Sequence, residues 1–216
     1  MLGGNDLKIL GVDTSNKIAS VAVFENEIKL GEKFSEDQKT HSEKVLPLID
    51  NLLKELNINI DQIDEFVVCT GPGSFTGIRI GVALIKGMSK GINKKVIGVT
   101  ALQGLLNKVE GNVCAIIDAR HDNVYAQYRI NDTYSEPDCV NINELLEKLP
   151  DENITFVGDA AVVYKELIEN ENYKINENML IQSTSDLISY AVKNNLEACD
   201  SAEVNPVYLR KAQPER

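Results

Sequence analysis

The sequence predicts an α/β protein of two related halves, each with a mixed β-sheet flanked by helices. Strand-like apolar runs alternate with helical patterns along all 216 residues. An apolar strand that ends in aspartate, a polar turn and a second strand occur together twice, starting at Ile9 and at Cys114. This repeat suggests two related halves, although two hairpins can also be alike by chance.

In the first half, the patterns predict a meander of strands and then alternating helices and strands. Predicted strands cover residues 8–12, 18–25, 28–34, 66–70 and 95–99, and predicted helices cover 41–57, 74–92 and 101–108. The second half continues with helices at 140–149 and 185–195, a strand, turn and helix at 154–169, and a strand at 178–182. We expect one lobe at 6–108 and a smaller one at 109–216, whose last segment is a candidate to pack back on the first.

The composition limits the classes of function. Hydrophobic residues make up 43% of the chain, its net charge is −11 and its pI is about 4.7. An acidic chain lacks the broad cationic surface of nucleic-acid binding proteins, so any RNA would be held by a partner. No apolar run approaches the ~20 residues of a membrane span, and no secretion signal is apparent. These features predict a cytoplasmic protein without membrane contact.

Few residues are available to bind a metal ion. The four cysteines lie far apart and form no C-x-x-C pair, and the two histidines are His41 and His121. A zinc site built on this chain is therefore not expected.

A glycine-rich turn, GPGSFTG at residues 71–77, precedes the second long helix. It is not a P-loop, because the second glycine comes one residue late and Ile78-Arg79 replaces Lys-Ser. The G-x-G-x-x-G spacing of dinucleotide-binding loops is also missing. A tight structural turn is the favoured interpretation, and an anion site at the helix N-terminus is the alternative.

Two helices of the first half carry more apolar surface than one sheet would cover. In 74–92 the only charges, Arg79, Lys86 and Lys90, share a strip about 40° wide, and in 41–57 the apolar face spans about 160°. Ala83, Gly87 and Gly91 form a face that another backbone can approach. We interpret the surplus as a protein–protein interface, and burial between the two halves is the alternative.

Polar residues at the ends of the first strands are the candidate nucleotide ligands. Asp13 and Asp118 each end a strand before a polar turn, where an aspartate can hold a nucleotide's metal ion through water. Thr14 and Ser15 can donate hydrogen bonds to phosphate. The alternative is that these residue types simply favour turns.

Several stretches together resemble the TsaB (YeaZ) family over nearly the whole chain. They are ILGVDTSNKIASVAVFE, THSEKVLPLIDNLLKE, GPGSFTGIRIGVALIKG, VIGVTAL, AIIDARHDNVYAQYR and PVYLRK. The resemblance implies a two-lobed actin-like (RNase H-like) fold with a reduced second lobe. It also implies a non-catalytic subunit that activates a TsaD-type transferase, which places threonylcarbamoyl on the tRNA adenosine next to the anticodon.

The resemblance further implies partners and cofactors. The expected partners are a TsaD-type paralogue and a TsaE-type ATPase, with a homodimer through the same helices and tRNA contact only through the complex. The lone chain is not expected to hold a cofactor tightly, and ATP or ADP with Mg²⁺ is the candidate for the complex. The predicted interface residues are His41, Val45, Leu48, Leu52, Thr76, Arg79, Val82, Ala83, Lys86 and Gly87.

The sequence departs from the TsaD pattern where that enzyme carries its chemistry. The resemblance aligns Ala101, Gln103 and Leu105 with the metal-binding His, the Glu and the second His of TsaD, and neither Ala nor Leu can bind a metal. In the stretch that corresponds to adenosine binding, Gly158 remains but Asp159 replaces a glycine. These departures speak against the two alternative functions, an autonomous ATPase or small-molecule kinase and a metallopeptidase.

Overall fold

The computed structural model describes residues 6–35, 41–169 and 172–209, without the side chain of His41. Along the chain the elements are β1 (Lys8–Asp13), β2 (Ser20–Glu25), β3 (Ile28–Phe34), α1 (His41–Glu55), a short 3₁₀ turn (Ile60–Gln62), β4 (Glu65–Cys69), α2 (Phe75–Gly91), β5 (Lys95–Val99), α3 (Ala101–Leu106), β6 (Val113–Asp118), β7 (Asn123–Ile130), β8 (Thr133–Tyr134), β9 (Asp138–Asn141), α4 (Ile142–Lys148), β10 (Ile154–Val157), α5 (Asp159–Val163), α6 (Lys165–Ile168), β11 (Tyr173–Ile175) and α7 (Thr184–Lys193). This order confirms the predicted α/β class.

The chain divides into two compact units. Unit 1 contains Met1–Ala101 and Ser183–Pro206, and unit 2 contains Leu102–Gln182 and Val207–Arg216. The lobes expected at 6–108 and 109–216 differ from this division at two helices. Nearly all of α3 belongs to unit 2, although it comes before residue 108, and α7 belongs to unit 1, although it comes after residue 109. Leu102, Leu105 and Leu106 of α3 pack against Val113, Ala115 and Val157 of unit 2.

The sheets of the two units have the same construction. In unit 1 the strand order is β3-β2-β1-β4-β5, with β1, β2 and β3 antiparallel and β4 and β5 parallel to β1. In unit 2 the path runs β11-β10-β6-β7, and both β8 and β9 pair with β7. The β6–β7 hairpin is antiparallel, and β10 and β11 continue parallel to β6. The predicted repeat of hairpins is thereby confirmed, with Asp13 and Asp118 each ending the first strand.

The core of unit 1 lies between its sheet and helices α1 and α2. Apolar side chains alternate toward these helices along the buried strands, as the period of a strand requires. The buried members of this core are Leu10, Val12, Ala19, Val21, Val23, Val45, Ile49, Leu52, Leu53, Ile63, Phe66, Val68, Ile78, Val82, Ile85, Val96 and Val204. Both helices therefore bury one face within their own unit.

Helix α7 packs on β1, β2 and β4 of unit 1. A Cβ on Gly11 would lie only 2.5 Å from Cγ2 of Thr184, so glycine permits the close approach. The Thr184 N–H donates to Oγ of Ser20 at 3.0 Å, and the Thr184 hydroxyl donates to the Ser20 carbonyl at 2.8 Å. Because these groups are buried, their pairing is needed to offset their desolvation.

Three predictions for the second half need correction. Residues 178–182 do not form a strand, and the third parallel strand is β11, whose Tyr173 ring packs 5.5 Å from that of Phe156. The helix predicted after β10 breaks into α5 and α6 at Tyr164. Helix α7 begins after Ser183, not Ser185, since the Ser183 N–H and hydroxyl both donate to Asp186.

Among the helices of the described residues, none is both long enough and apolar enough to cross a membrane.

Candidate functional site

Three of the four candidate nucleotide ligands lie at the end of β1 and in the turn after it, and all three are buried. Asp13 is 1% exposed, Thr14 is 1% exposed and Ser15 is 3% exposed. Oδ1 of Asp13 accepts from the Ser15 N–H at 2.8 Å and from the Ser15 hydroxyl at 2.7 Å. The aspartate therefore closes its own turn, as this residue type often does.

The glycine-rich turn and the start of α2 fill the space beside this hairpin. The Ser74 N–H donates to the Ser15 carbonyl at 2.7 Å, and the Thr14 hydroxyl donates to the Gly77 carbonyl at 2.7 Å. A Cβ on Gly73 would lie 2.6 Å from the Ser15 carbonyl oxygen, and one on Gly77 would lie 2.0 Å from that of Thr14. The backbone of the GPGSFTG turn therefore packs directly on the hairpin. This agrees with the tight structural turn that the sequence favours.

The residues at this hairpin do not fit a nucleotide with its metal ion. A phosphate needs backbone and hydroxyl donors that face open space. Here Ser74 donates to the hairpin, Thr14 donates to α2, and Asp13 is closed off from solvent. The backbone of residues 73–77 thus covers the β1–β2 hairpin within unit 1.

Cys69, the last residue of β4, has a buried thiol near this hairpin. Burial raises the pKa of the Cys69 thiol well above its usual value, and the nearby Asp13 carboxylate raises this pKa further. The thiol therefore stays protonated at neutral pH, where only the thiolate is a strong nucleophile. Cys69 is a packing residue.

In unit 2 the corresponding hairpin is contacted by a carboxylate. Oδ1 of Asp159, the first residue of α5, accepts from the Asp118 N–H at 3.0 Å, and Oδ1 of Asp118 accepts from the Arg120 N–H at 2.8 Å. Burial raises the pKa of Asp159, and the neighbouring Asp118 charge raises it further. The Asp159 carboxylate thus occupies the backbone N–H at the end of β6.

The positions that resemble the metal ligands of TsaD lie on α3. The side chains of Ala101 and Leu105 are fully buried and apolar, and Gln103 is half-buried. Within the described parts of the chain, no three His, Cys, Asp or Glu side chains come together in a way that could hold a metal ion.

Helix α1 presents a narrower apolar surface than its sequence suggests. Val45 and Leu52 are 1% and 2% exposed in the core of unit 1, and Leu48 is packed against the same core. This corrects the prediction for Val45 and Leu52, because the sheet beneath them covers them. His41 is also a predicted interface residue on this helix, and its side chain is not among the parts of the chain that the structure describes.

Helix α2 separates its two faces clearly. Val82 is 4% exposed and packs in the core, so it too is corrected as an interface residue. Thr76, Arg79, Ala83 and Gly87 on the same helix are exposed. A Cβ on Gly87 would meet nothing within 4 Å.

Lys86 at the edge of this face is engaged within unit 1. Its Nζ donates to the Ala202 carbonyl and to Oδ1 of Asn205, both at 3.3 Å. This contact holds the segment after α7 against α2, so Lys86 is half-buried.

Two further exposed residues of α2, Phe75 and Lys90, are not among the predicted interface residues. Phe75 is 54% exposed, and the Arg79 guanidinium carbon lies 3.7 Å from the centre of its ring. The 100° spacing of a helix places Phe75, Arg79, Ala83 and Lys90 within a sector about 80° wide. Lys90 belongs to the charged strip that the sequence predicts, and Phe75 lies four residues before Arg79, which makes the two neighbours on the helix surface.

Comparison with known proteins places the chain in a family. Residues 30–212 match the family model for TsaD, tRNA N6-adenosine threonylcarbamoyltransferase. The chain is 28% identical to the "tRNA threonylcarbamoyladenosine biosynthesis protein TsaB" of Haemophilus influenzae, with 95% of this chain and 94% of the relative covered. Its identity to TsaB of Escherichia coli is 29%, over 94% and 95% of the two chains. The chain belongs to the TsaB (YeaZ) branch of this family.

Solved structures agree on the fold of this TsaB-family chain. YeaZ from Pseudomonas aeruginosa superposes with a TM-score of 0.82 at 23% identity, covering 94% of this chain and 100% of the other. The ethanolamine utilization protein EutJ from Carboxydothermus hydrogenoformans has a TM-score of 0.55 at 9% identity, covering 85% and 89%. At these identities the likeness concerns the fold, and it confirms the expected actin-like class.

Proposed function

We propose that this chain is a non-catalytic subunit in the biosynthesis of threonylcarbamoyladenosine in tRNA, and that it acts by binding and activating a TsaD-type transferase. The observation that carries the proposal is the match to proteins named for this pathway along 94% to 97% of the chain. Such a match includes both units, so it concerns the whole chain and not one shared lobe.

The geometry around the first hairpin and α3 supports a subunit over an autonomous enzyme. The hairpin that would hold a nucleotide phosphate is covered by the backbone of residues 73–77. The positions that resemble metal ligands carry Ala101 and Leu105, which have no donor atom. What this unit does offer is an outward helix face with small side chains at Ala83 and Gly87.

We propose this outward face of α2 as the surface that binds the TsaD-type partner. Small side chains let the backbone of a partner helix approach closely and pack along the groove between helix turns. The free chain is proposed to pair with a second copy through the same face, and a TsaE-type ATPase and tRNA are proposed to join only in the complex. The cytoplasm, where tRNA is modified, is the proposed location.

The test combines the chain with the TsaD-type protein of the same organism. Size-exclusion chromatography with light scattering is expected to show a new species, and transfer of threonylcarbamoyl to tRNA is expected to require both proteins. Ala83→Trp, on the exposed face, is expected to abolish the new species while leaving the chain folded by circular dichroism. Lys174→Gln, exposed on β11 of unit 2, is the control.

Two results would contradict the proposal. One is the absence of any complex between the wild-type proteins. The other is stoichiometric binding of ATP with Mg²⁺ by the lone chain, followed by turnover, which would favour an autonomous ATPase.

A further inference from the structure

We draw no further inference here: the strongest candidate, the exposed apolar patch of Val162, Val163 and Leu167 at the junction of α5 and α6 in unit 2, carries none, because nothing in the part of the chain that the structure describes shows what covers it.

Discussion

Gly77 shows how a single position can decide what a motif does. At this residue the first turn of α2 passes so close to the β1–β2 turn that a Cβ would lie 2.0 Å from the Thr14 carbonyl oxygen. Backbone cannot move aside as a flexible side chain can, so any larger residue must displace the helix. The glycine-rich sequence therefore reflects packing of α2 on the hairpin.

Gly77→Ala is expected to destabilise the chain by about 2–3 kcal/mol, as overpacking of a rigid contact does. Gly87→Ala on the same helix is the matched control, because a Cβ there meets nothing within 4 Å. Replacing an exposed helix glycine by alanine is expected to stabilise by about 0.5–1 kcal/mol. Urea denaturation measures both, and equal effects of the two substitutions would refute the packing argument.

Asp159 gives a pH dependence to unit 2. Because burial raises its pKa in the folded chain, the folded state keeps its proton at pH values where the unfolded state, with a pKa near 3.9, has released it. Stability is thus expected to fall as the pH rises from about 4 through the raised pKa. Asp159→Asn keeps the oxygen that accepts from Asp118 and removes this fall, so the variant is expected to be more stable than the wild type at pH 7 and similar at pH 3.

Hydrogen exchange of the β6 and β10 amides between pH 3 and pH 7 measures the effect of Asp159→Asn. Asp132→Asn, exposed in the β7–β8 turn, is the control and is expected to change little. A parallel decline of the wild type and Asp159→Asn over this range would contradict the assignment.

At the scale of elements, α7 is held on the unit 1 sheet by shape and by hydroxyl groups. Gly11 leaves room for Thr184 and Ile188, and Ser20 pairs with both the N–H and the hydroxyl of Thr184. Removing one member of a buried hydrogen-bonded group leaves its partner desolvated and unpaired.

Ser20→Ala is expected to cost about 1–3 kcal/mol of stability for this reason. Ser185→Ala, directly after Thr184 on α7, is the control, since its buried hydroxyl has no hydrogen-bond partner among the described residues. It is expected to be neutral or slightly stabilising. Thermal unfolding followed by circular dichroism compares the two, and a loss at Ser185 as large as that at Ser20 would show that the pairing is not the cause.

At the scale of the whole molecule, the two units are not consecutive in the chain. Ser183–Pro206 follows nearly all of unit 2 in sequence and yet belongs to unit 1, where Val204 joins the core. Folding of unit 1 therefore requires contacts between residues that are far apart along the chain.

Ile188→Asp tests this dependence. The side chain is fully buried on α7, and an unpaired carboxylate there is expected to cost more than about 4 kcal/mol. Hydrogen exchange is expected to accelerate in β1, β2 and β4 and to stay slow in β6 and β10. Lys193→Ala, exposed at the end of α7, is the control. Equal acceleration in both sheets would contradict the division into units.

The sequence by itself determined the class of fold, the repeated hairpins and the positions of α1 and α2. These features depend on local patterns, namely period-two strands, helical spacing and the turn residues around Asp13 and Gly71, which act over a few residues. The family resemblance also followed from such stretches, and the comparisons confirmed it.

Only the tertiary structure decided which apolar residues are left for a partner. In the sequence, Val45, Leu52 and Val82 are apolar residues on helices with surplus apolar surface, as residues of an interface would be. In the structure, the sheet of unit 1 covers them. The closed hairpin and the return of α7 to unit 1 were likewise beyond local patterns. Each depends on contacts between segments 50 or more residues apart, such as Thr14 with Gly77 and Ser20 with Thr184. Periodicity shows that a face is apolar, whereas the fold determines what covers it.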